Sequence, residues 1–274
     1  MAFFLEQKNK IWLGRFSSFE ATGLVSETMT ARFGGVSKPP RDELNLAMHV
    51  GDEVDDVFKN RRLLAEALNL DVEKICTADQ VHGDTIYRVQ SEDAGRGVHA
   101  YNDAIESTDA LMTNVPGVPL MMCFADCVPI MFLDTENKAV AIAHGGWKGT
   151  VKHISEKTLL KMGEEYGTKP EKCLAAIGPS IGPCCFAVGD DVKAEFVNSF
   201  PDYCDKLVIT KNGETHIDLW QANRLQLLAA GMKDENIDTA EVCTACNSKM
   251  FFSYRADGGV TGRLAAMIAL KQGR

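Results

Sequence analysis

The 274-residue sequence predicts an α+β protein in which helices pack on mixed sheets. Segments with helical periodicity alternate irregularly with short β-rich segments, unlike the strict βα alternation of a parallel sheet. The composition, 45% hydrophobic and 24% charged, is that of an ordinary globular protein. Neither a repeat nor a Pro/Ser-rich linker divides the sequence, so residues 1–274 are expected to form a single domain.

Five segments have the pattern of helices. In residues 52–70, apolar side chains recur at helical spacing and acidic residues occupy the first turn. Residues 151–167 predict a second helix with Thr150 as its N-cap and a glycine stop at Gly163 or Gly167. Three further helices are expected at 190–200, 219–232 and 262–271.

Six short apolar segments predict strands between residues 85 and 178. They are TIYRV, DALMT, VPLMMCF, VPIMFLD, AVAIAH and CLAAIG. The polar segment DTEN separates the fourth from the fifth and therefore indicates a hairpin turn.

Composition argues against several classes of function. No apolar run approaches the roughly 20 residues that span a bilayer, and the first residues lack the order of a secretion signal, so a cytoplasmic protein is expected. The net charge of −9 disfavours broad nucleic-acid binding, which depends on clustered Lys and Arg. Nine cysteines in such a chain are expected to be reduced thiols, most of them buried.

The predicted hairpin carries Cys127 on one strand and His144 on the other. If Asp134 lies opposite Asn137 at the turn, Cys127 lies opposite His144, with Cβ atoms about 4.5–5.5 Å apart. Such a pair can share a metal ion or form a catalytic dyad, and it can also be a core thiol beside an interior histidine. The glycine-rich HGGWKGT that follows leads into a helix and suits either an anion site or a structural turn.

His82 is the third candidate, because it precedes Gly83 at the start of a β-rich segment, where a loop side chain can point into a cleft. The other histidines lie in polar or helical surroundings that favour a solvated surface position. They are His49, His99, His153 and His216.

Five motifs in order, QVHG, FADCVPI, AHGGWKGT, AIGPSIGPCCFAVGDDV and FFSYRADGGVTGR, resemble the bacterial laccase-domain or polyphenol oxidase family. Members of that family have been reinterpreted as multifunctional purine nucleoside phosphorylases. The similarity runs from about residue 30 to residue 270. It implies a layered α/β/β/α fold related to the catalytic domain of cytotoxic necrotizing factor.

The resemblance also implies a zinc site formed by His82, Cys127 and His144, which would be both metal ligands and catalytic residues. The implied reactions are phosphorolysis of adenosine, inosine, guanosine and methylthioadenosine, and deamination of adenosine. Two enzymatic alternatives remain: a metal-free hydrolase with a Cys–His pair, and a copper-dependent polyphenol oxidase. A metal-stabilised binding module without catalysis is a fourth hypothesis.

Several polar residues in the motifs are candidates for contacting phosphate or ribose. They are Asn45, Arg61, Lys148, Ser253, Arg255 and Arg263. Arg255 is the preferred one, since it follows a strand-like segment and precedes the DGG turn. Family members often have Arg at position 148, and Lys lacks the bidentate fork of Arg. Asp84 and Asp126 are candidates for proton transfer.

Four cysteines are assigned mainly structural roles. Cys243 and Cys246 form a C-x-x-C segment without a second such pair, which is a weak signal for zinc and leaves structural or redox roles open. Cys184 and Cys185 follow the turn-rich segment GPSIGP, whose backbone is expected to shape the pocket.

Overall fold

Two six-stranded sheets and one three-stranded sheet organise residues 3–272, which a computed structural model describes. The strands are β1 (Phe3–Lys8), β2 (Ile11–Phe16), β3 (Val25–Thr30), β4 (Cys76–Thr77), β5 (Ile86–Arg88), β6 (Ala110–Thr113), β7 (Leu120–Phe124), β8 (Val128–Asp134), β9 (Ala139–Gly145), β10 (Cys173–Ile177), β11 (Ala187–Val188), β12 (Val208–Lys211), β13 (Glu214–Ile217), β14 (Ile237–Thr239) and β15 (Leu264–Leu270). The helices are α1 (Ser17–Thr22), α2 (Val54–Leu68), α3 (Trp147–Val151), α4 (Ile154–Tyr166), α5 (Asp190–Ser199), α6 (Cys204–Leu207) and α7 (Leu219–Ala229). No helix in this part of the chain is long and apolar enough to cross a membrane.

Both large sheets are mixed, as the irregular order of strand and helix patterns predicts. The first has the order β1-β2-β3-β15-β7-β4 and the second β14-β10-β8-β9-β6-β5. Most neighbours are antiparallel, and the parallel pairs β4–β7, β5–β6 and β10–β14 lie at sheet edges. The small sheet has the order β11-β13-β12.

The sheets face each other, and helices cover their outer faces. Met131 and Leu133 of β8 point towards the first sheet, whereas Phe132 between them packs against α4, α5 and α7. In β15, Ala265 and Met267 pack against α2, and the alternate side chains face the second sheet. Because successive side chains of a strand point to opposite faces of its sheet, each sheet contacts the other sheet on one face and helices on the other. The result is four layers in the order helix, sheet, sheet, helices.

The β8–β9 hairpin has a longer turn than the sequence suggests. Asp134 lies opposite Ala139, not Asn137, and Pro129 lies opposite His144. The Asp134 carboxylate accepts hydrogen bonds from the backbone N–H groups of residues 136 and 137, which holds the turn in a wider form. Cys127 therefore precedes β8 instead of pairing with His144. The register differs by two residues, so the side-chain parity of the strand is unchanged.

Two helix predictions are corrected by the structure. Residues 264–270 form a buried strand between β3 and β7, where sheet pairing outweighs the helix propensity of Ala, Leu and Met. Thr150 lies inside α3, and α4 begins after His153, whose φ of 62° separates the two helices. Helices at the other predicted positions are confirmed, as are the six predicted strands.

Candidate active site

Three side chains distant in sequence converge at one point. His82 lies on the loop after β4, Cys127 directly before β8, and His144 in β9. Their donor atoms all lie within 4.8 Å of one another. The imidazole rings of the two histidines meet edge to face, with centroids 4.7 Å apart. The trio expected from the sequence is thus assembled in space.

The Asp109 carboxylate holds two of these residues in place. One of its oxygens accepts from Nδ1 of His144 at 2.8 Å and from the backbone N–H of His82 at 3.0 Å. The other accepts from the backbone N–H groups of Val81 and Gly83 at 3.2 and 2.6 Å. Asp109 is fully buried. Sequence reasoning missed it, although an acidic residue opening the buried segment DALMT is an unusual placement.

Gly146 lies against all three side chains. A Cβ atom at this position would lie 2.9 Å from Cδ2 of His82, 3.2 Å from Sγ of Cys127 and 3.6 Å from Cε1 of His144. The glycine in HGGWKGT is therefore a packing requirement of the site. The helix α3 that follows is only five residues long.

Charge separation is favoured between Cys127 and His144. Burial opposes the thiolate, but the two imidazoles outweigh it and lower the pKa of Cys127 to about 6. Burial also opposes the imidazolium, yet the Cys127 thiolate and the Asp109 carboxylate raise the pKa of His144 to about 9. Near neutral pH the metal-free site therefore holds a thiolate and an imidazolium.

The same trio suits a tetrahedral metal ion. Zinc–sulfur and zinc–nitrogen bonds of about 2.3 and 2.05 Å would separate such donors by about 3.6 Å. The distance from Sγ of Cys127 to Nε2 of His82 is 3.7 Å. Because Nδ1 of His144 is bonded to Asp109, its Nε2 is the atom left for a metal, as in carboxylate–histidine–metal arrangements. Three protein donors leave a fourth coordination position for a reactant.

The trio lines a cavity of about 530 Å³, within the usual size of small-molecule sites. Aromatic side chains and two arginines contribute much of the remaining wall. They are Tyr101, Trp147, Phe186, Tyr254, Arg255 and Arg263. The cavity thus combines flat apolar surfaces with positive charge beside a metal-type donor set.

Of the six residues considered as substrate contacts, Arg255 and Arg263 line the cavity and the other four do not. Arg255 donates to the backbone carbonyls of Cys185 and Ala187 at 3.0 and 3.3 Å. Asn45 is buried, and its Oδ1 accepts from the backbone N–H of Arg263 at 2.9 Å. Asn45 therefore holds the backbone of Arg263, which lines the cavity, without facing the cavity itself.

Arg61, Ser253 and Lys148 lie away from the cavity wall. Arg61 is buried and donates to the backbone carbonyls of residues 46, 97 and 98. The buried Ser253 hydroxyl accepts from the backbone N–H of residue 256 at 3.1 Å. Lys148 is exposed, with its ammonium 5.6 Å from the Trp147 ring centre.

The two proton-transfer candidates have different surroundings. Asp126 lines the cavity, and its carboxylate accepts from Thr244 Oγ1 and from the backbone N–H of Arg255, both at 2.7 Å. Asp84 lies outside the cavity wall and pairs with Lys157 and Lys152. A hydrogen bond from Lys157, together with the charges of both lysines, lowers the pKa of Asp84 despite its partial burial.

Of the remaining histidines, His49 is exposed, as expected, but lies at the cavity, and His216 is buried. His49 lies at the cavity beside Tyr101, with ring centroids 4.8 Å apart. His216 is 5% exposed because it belongs to the central strand of the small sheet, so the surface expectation is wrong for it. Gln80 was also missed. Its side-chain amide donates to the Cys123 carbonyl at 3.0 Å and accepts from the Cys123 backbone N–H at 2.8 Å.

Comparison with known proteins agrees with this architecture. The sequence profile of a family described as multi-copper polyphenol oxidoreductase laccase matches residues 26–271. The chain is 39% identical over 268 residues to a Geobacillus stearothermophilus protein named purine nucleoside phosphorylase YlmD, covering 97% of each chain. It is 38% identical over 244 residues to the Bacillus subtilis protein of the same name, covering 89% of this chain and 87% of the relative.

A solved structure has the same fold. The crystal structure of a Bacillus licheniformis hypothetical protein, YfiH, superposes with a TM-score of 0.92 and 36% sequence identity, covering 97% of this chain and 99% of the other. The profile match and the identities together mean that the chain belongs to the laccase-domain polyphenol oxidoreductase family, whose similar members include proteins named purine nucleoside phosphorylase.

Proposed function

We propose that this protein is a zinc-dependent purine nucleoside phosphorylase of the cytoplasm that accepts adenosine, inosine, guanosine and methylthioadenosine and also deaminates adenosine. The observation that carries the proposal is the convergence of His82, Cys127 and His144 in a cavity with aromatic and arginine walls. The names of the similar proteins support the reaction class.

Phosphorolysis requires the chain to hold two reactants against each other. A phosphate oxygen bonds to C1′ of the ribose while the bond to the purine nitrogen breaks, and the purine leaves with a proton on nitrogen. Positioning and electrostatic stabilisation lower most of such a barrier. Arg255 and Arg263 offer positive charge for the phosphate, and a bound zinc ion would supply a Lewis acid at its fourth position.

The aromatic wall suits the flat purine base. Phe186 and Tyr254 each lie beside an arginine, with guanidinium carbons 5.7 Å from the ring centres. A base stacked on such a ring would leave its ribose free to reach the trio. For deamination, Asp126 is the carboxylate that could transfer protons, because it lines the cavity, whereas Asp84 is paired with lysines outside it.

A metal-free cysteine hydrolase is the second candidate. The Cys127 thiolate beside the His144 imidazolium, itself held by Asp109, is the arrangement of an activated nucleophile. The expected relation to the cytotoxic necrotizing factor domain belongs to this hypothesis. Copper-dependent phenol oxidation is the third candidate, suggested by the name of the family.

The three candidates differ in what they need. Purine release from inosine should be measured with and without phosphate, for the metal-free, zinc-loaded and copper-loaded protein. We expect zinc-dependent release that requires phosphate and yields ribose 1-phosphate. Release without phosphate or metal supports the hydrolase, and oxygen uptake with a phenol only in the copper form supports the oxidase.

A further inference from the structure

Four cysteines outside the candidate active site form a second cluster. Cys184 and Cys185 lie in the turn before β11, and Cys243 and Cys246 in the turn after β14. All four sulfur atoms lie within 4.8 Å of one another. The C-x-x-C segment, which lacked a partner in the sequence, thus meets a second cysteine pair in space.

The spacing of the sulfurs is that of ligands around one ion. Tetrahedral zinc–thiolate bonds of about 2.3 Å place sulfur atoms about 3.8 Å apart. Sγ of Cys246 lies 3.5 Å from Sγ of Cys184 and 3.4 Å from Sγ of Cys185. A disulfide bond would join one pair at about 2.05 Å, whereas here one sulfur has two nearly equidistant neighbours.

Hydrogen-bond donors and positive charges lie next to the cluster. The backbone N–H of Gly182 donates to Sγ of Cys243 at 3.3 Å, a bond that stabilises a metal-bound thiolate. Four thiolates around one divalent ion carry a net charge of about −2. Lys211 and Arg255 supply positive charge beside them, since they donate to the backbone carbonyls of Cys184 and Cys185 at 3.1 and 3.0 Å.

We propose that Cys184, Cys185, Cys243 and Cys246 bind a structural zinc ion, separate from the trio in the cavity. Four protein ligands leave no coordination place for a reactant, which is the pattern of structural zinc sites. Soft thiolate ligands select zinc over magnesium, calcium or manganese. An iron–sulfur cluster would spread its cysteines farther apart, because irons and sulfides lie between them.

This ion would stabilise one wall of the cavity. The cysteines join the segment before β11 to the segment after β14, and these segments hold Asp126 between them. Thr244 donates to the Asp126 carboxylate at 2.7 Å, and the backbone N–H of Ile181 donates to its carbonyl at 2.8 Å. Arg255 is held through the Cys185 carbonyl. The zinc site would therefore position an arginine that faces the substrate.

The test is the zinc content per chain of protein purified without chelator, measured by native mass spectrometry and elemental analysis. We expect two zinc ions in the wild type, one in Cys127→Ser and one in Cys246→Ser. Cys204→Ser is the matched control, since Cys204 is a half-buried thiol outside both clusters, and it should keep two. Cys246 is exposed, so its replacement is compatible with folding.

A second measurement keeps the proposal testable if Cys246→Ser fails to fold. In Cys127→Ser the remaining ion should be replaceable by cobalt(II), giving the intense visible absorption and sulfur charge-transfer bands of a tetrathiolate. A Cys127→Ser protein without zinc overturns the proposal, as does an intact mass in which these cysteines form a disulfide. Neither result bears on phosphorolysis at the trio, which is measured separately.

Discussion

Replacing Asp109 with Asn would weaken metal binding at the trio without touching a metal ligand. In the native protein, the two carboxylate oxygens together accept four hydrogen bonds, from Nδ1 of His144 and from the backbone at residues 81–83. An Asn amide offers one oxygen and one NH₂ group. The NH₂ must therefore face either the N–H groups of Val81 and Gly83, or the His144 ring and the His82 N–H.

Both orientations disturb a ligand. In the first, the loop that carries His82 loses two hydrogen bonds at 3.2 and 2.6 Å. In the second, Nδ1 of His144 must become an acceptor, so the proton moves to Nε2, the atom needed for the metal. Loss of such a partner typically costs 10–100-fold in metal affinity, or about 1.4–2.7 kcal/mol. Two unsatisfied backbone donors cost about 2–6 kcal/mol of the free energy of unfolding.

The assay is zinc affinity by competition with a chromophoric chelator, in the Cys246→Ser background so that one site is observed, together with urea unfolding of the metal-free protein. Asp134→Asn is the matched control, because Asp134 is equally buried and also accepts backbone hydrogen bonds, at the far end of β8. It should lose stability but keep its zinc affinity. Unchanged affinity in Asp109→Asn would refute the positioning role of this carboxylate.

Three further predictions test the charges, packing and walls of the site. In metal-free protein, the rate of alkylation of Cys127 should be half-maximal near pH 6, slow below it and fast above it, because the thiolate is the nucleophile. In His144→Ala the midpoint should rise towards pH 9. A midpoint near pH 9 in the wild type would contradict the thiolate–imidazolium pair. Gly146→Ala should lower zinc affinity about tenfold or more, since its Cβ would lie 2.9 Å from the His82 ring. Gly163→Ala in α4 is the control and should leave zinc affinity unchanged. Equal affinities in the two variants would mean that the loop carrying His82 adjusts freely. Arg255→Lys should raise the KM for phosphate about tenfold with a smaller change in kcat. The reason is that Lys cannot make both hydrogen bonds, to the Cys185 and Ala187 carbonyls, that hold the positive charge of Arg255 at the cavity. An unchanged KM would remove Arg255 from phosphate binding.

Much of the fold follows from local patterns, and the exceptions have a common cause. Strands such as VPIMFLD were predictable because their apolar runs end at turn residues. LAAMIAL of β15 was not, because its composition suits a helix and only pairing with β3 and β7 makes it a strand. The turn after Asp134 depended on side-chain hydrogen bonds that periodicity does not report.

The site shows the same division between local and distant information. Cys127, His144 and His82 were recognisable from residue type and motif, although the hairpin register that first suggested their proximity was wrong. Asp109 and the four-cysteine cluster were not recognisable, since each depends on contacts between segments far apart in sequence. Asn45 and Arg61 show the converse, because polar residues in motifs can serve the backbone of the fold instead of the ligand.

The role of the His82, Cys127 and His144 trio in catalysis should be measured as the rate of phosphate-dependent hypoxanthine release from inosine. The rate is compared between wild type, His82→Ala and His99→Ala. His99 is an exposed histidine paired with Glu73, remote from the trio, and its replacement should leave the rate unchanged. We expect a loss of at least about 100-fold in His82→Ala, restricted to the reaction with phosphate. Equal rates in all three proteins would contradict it.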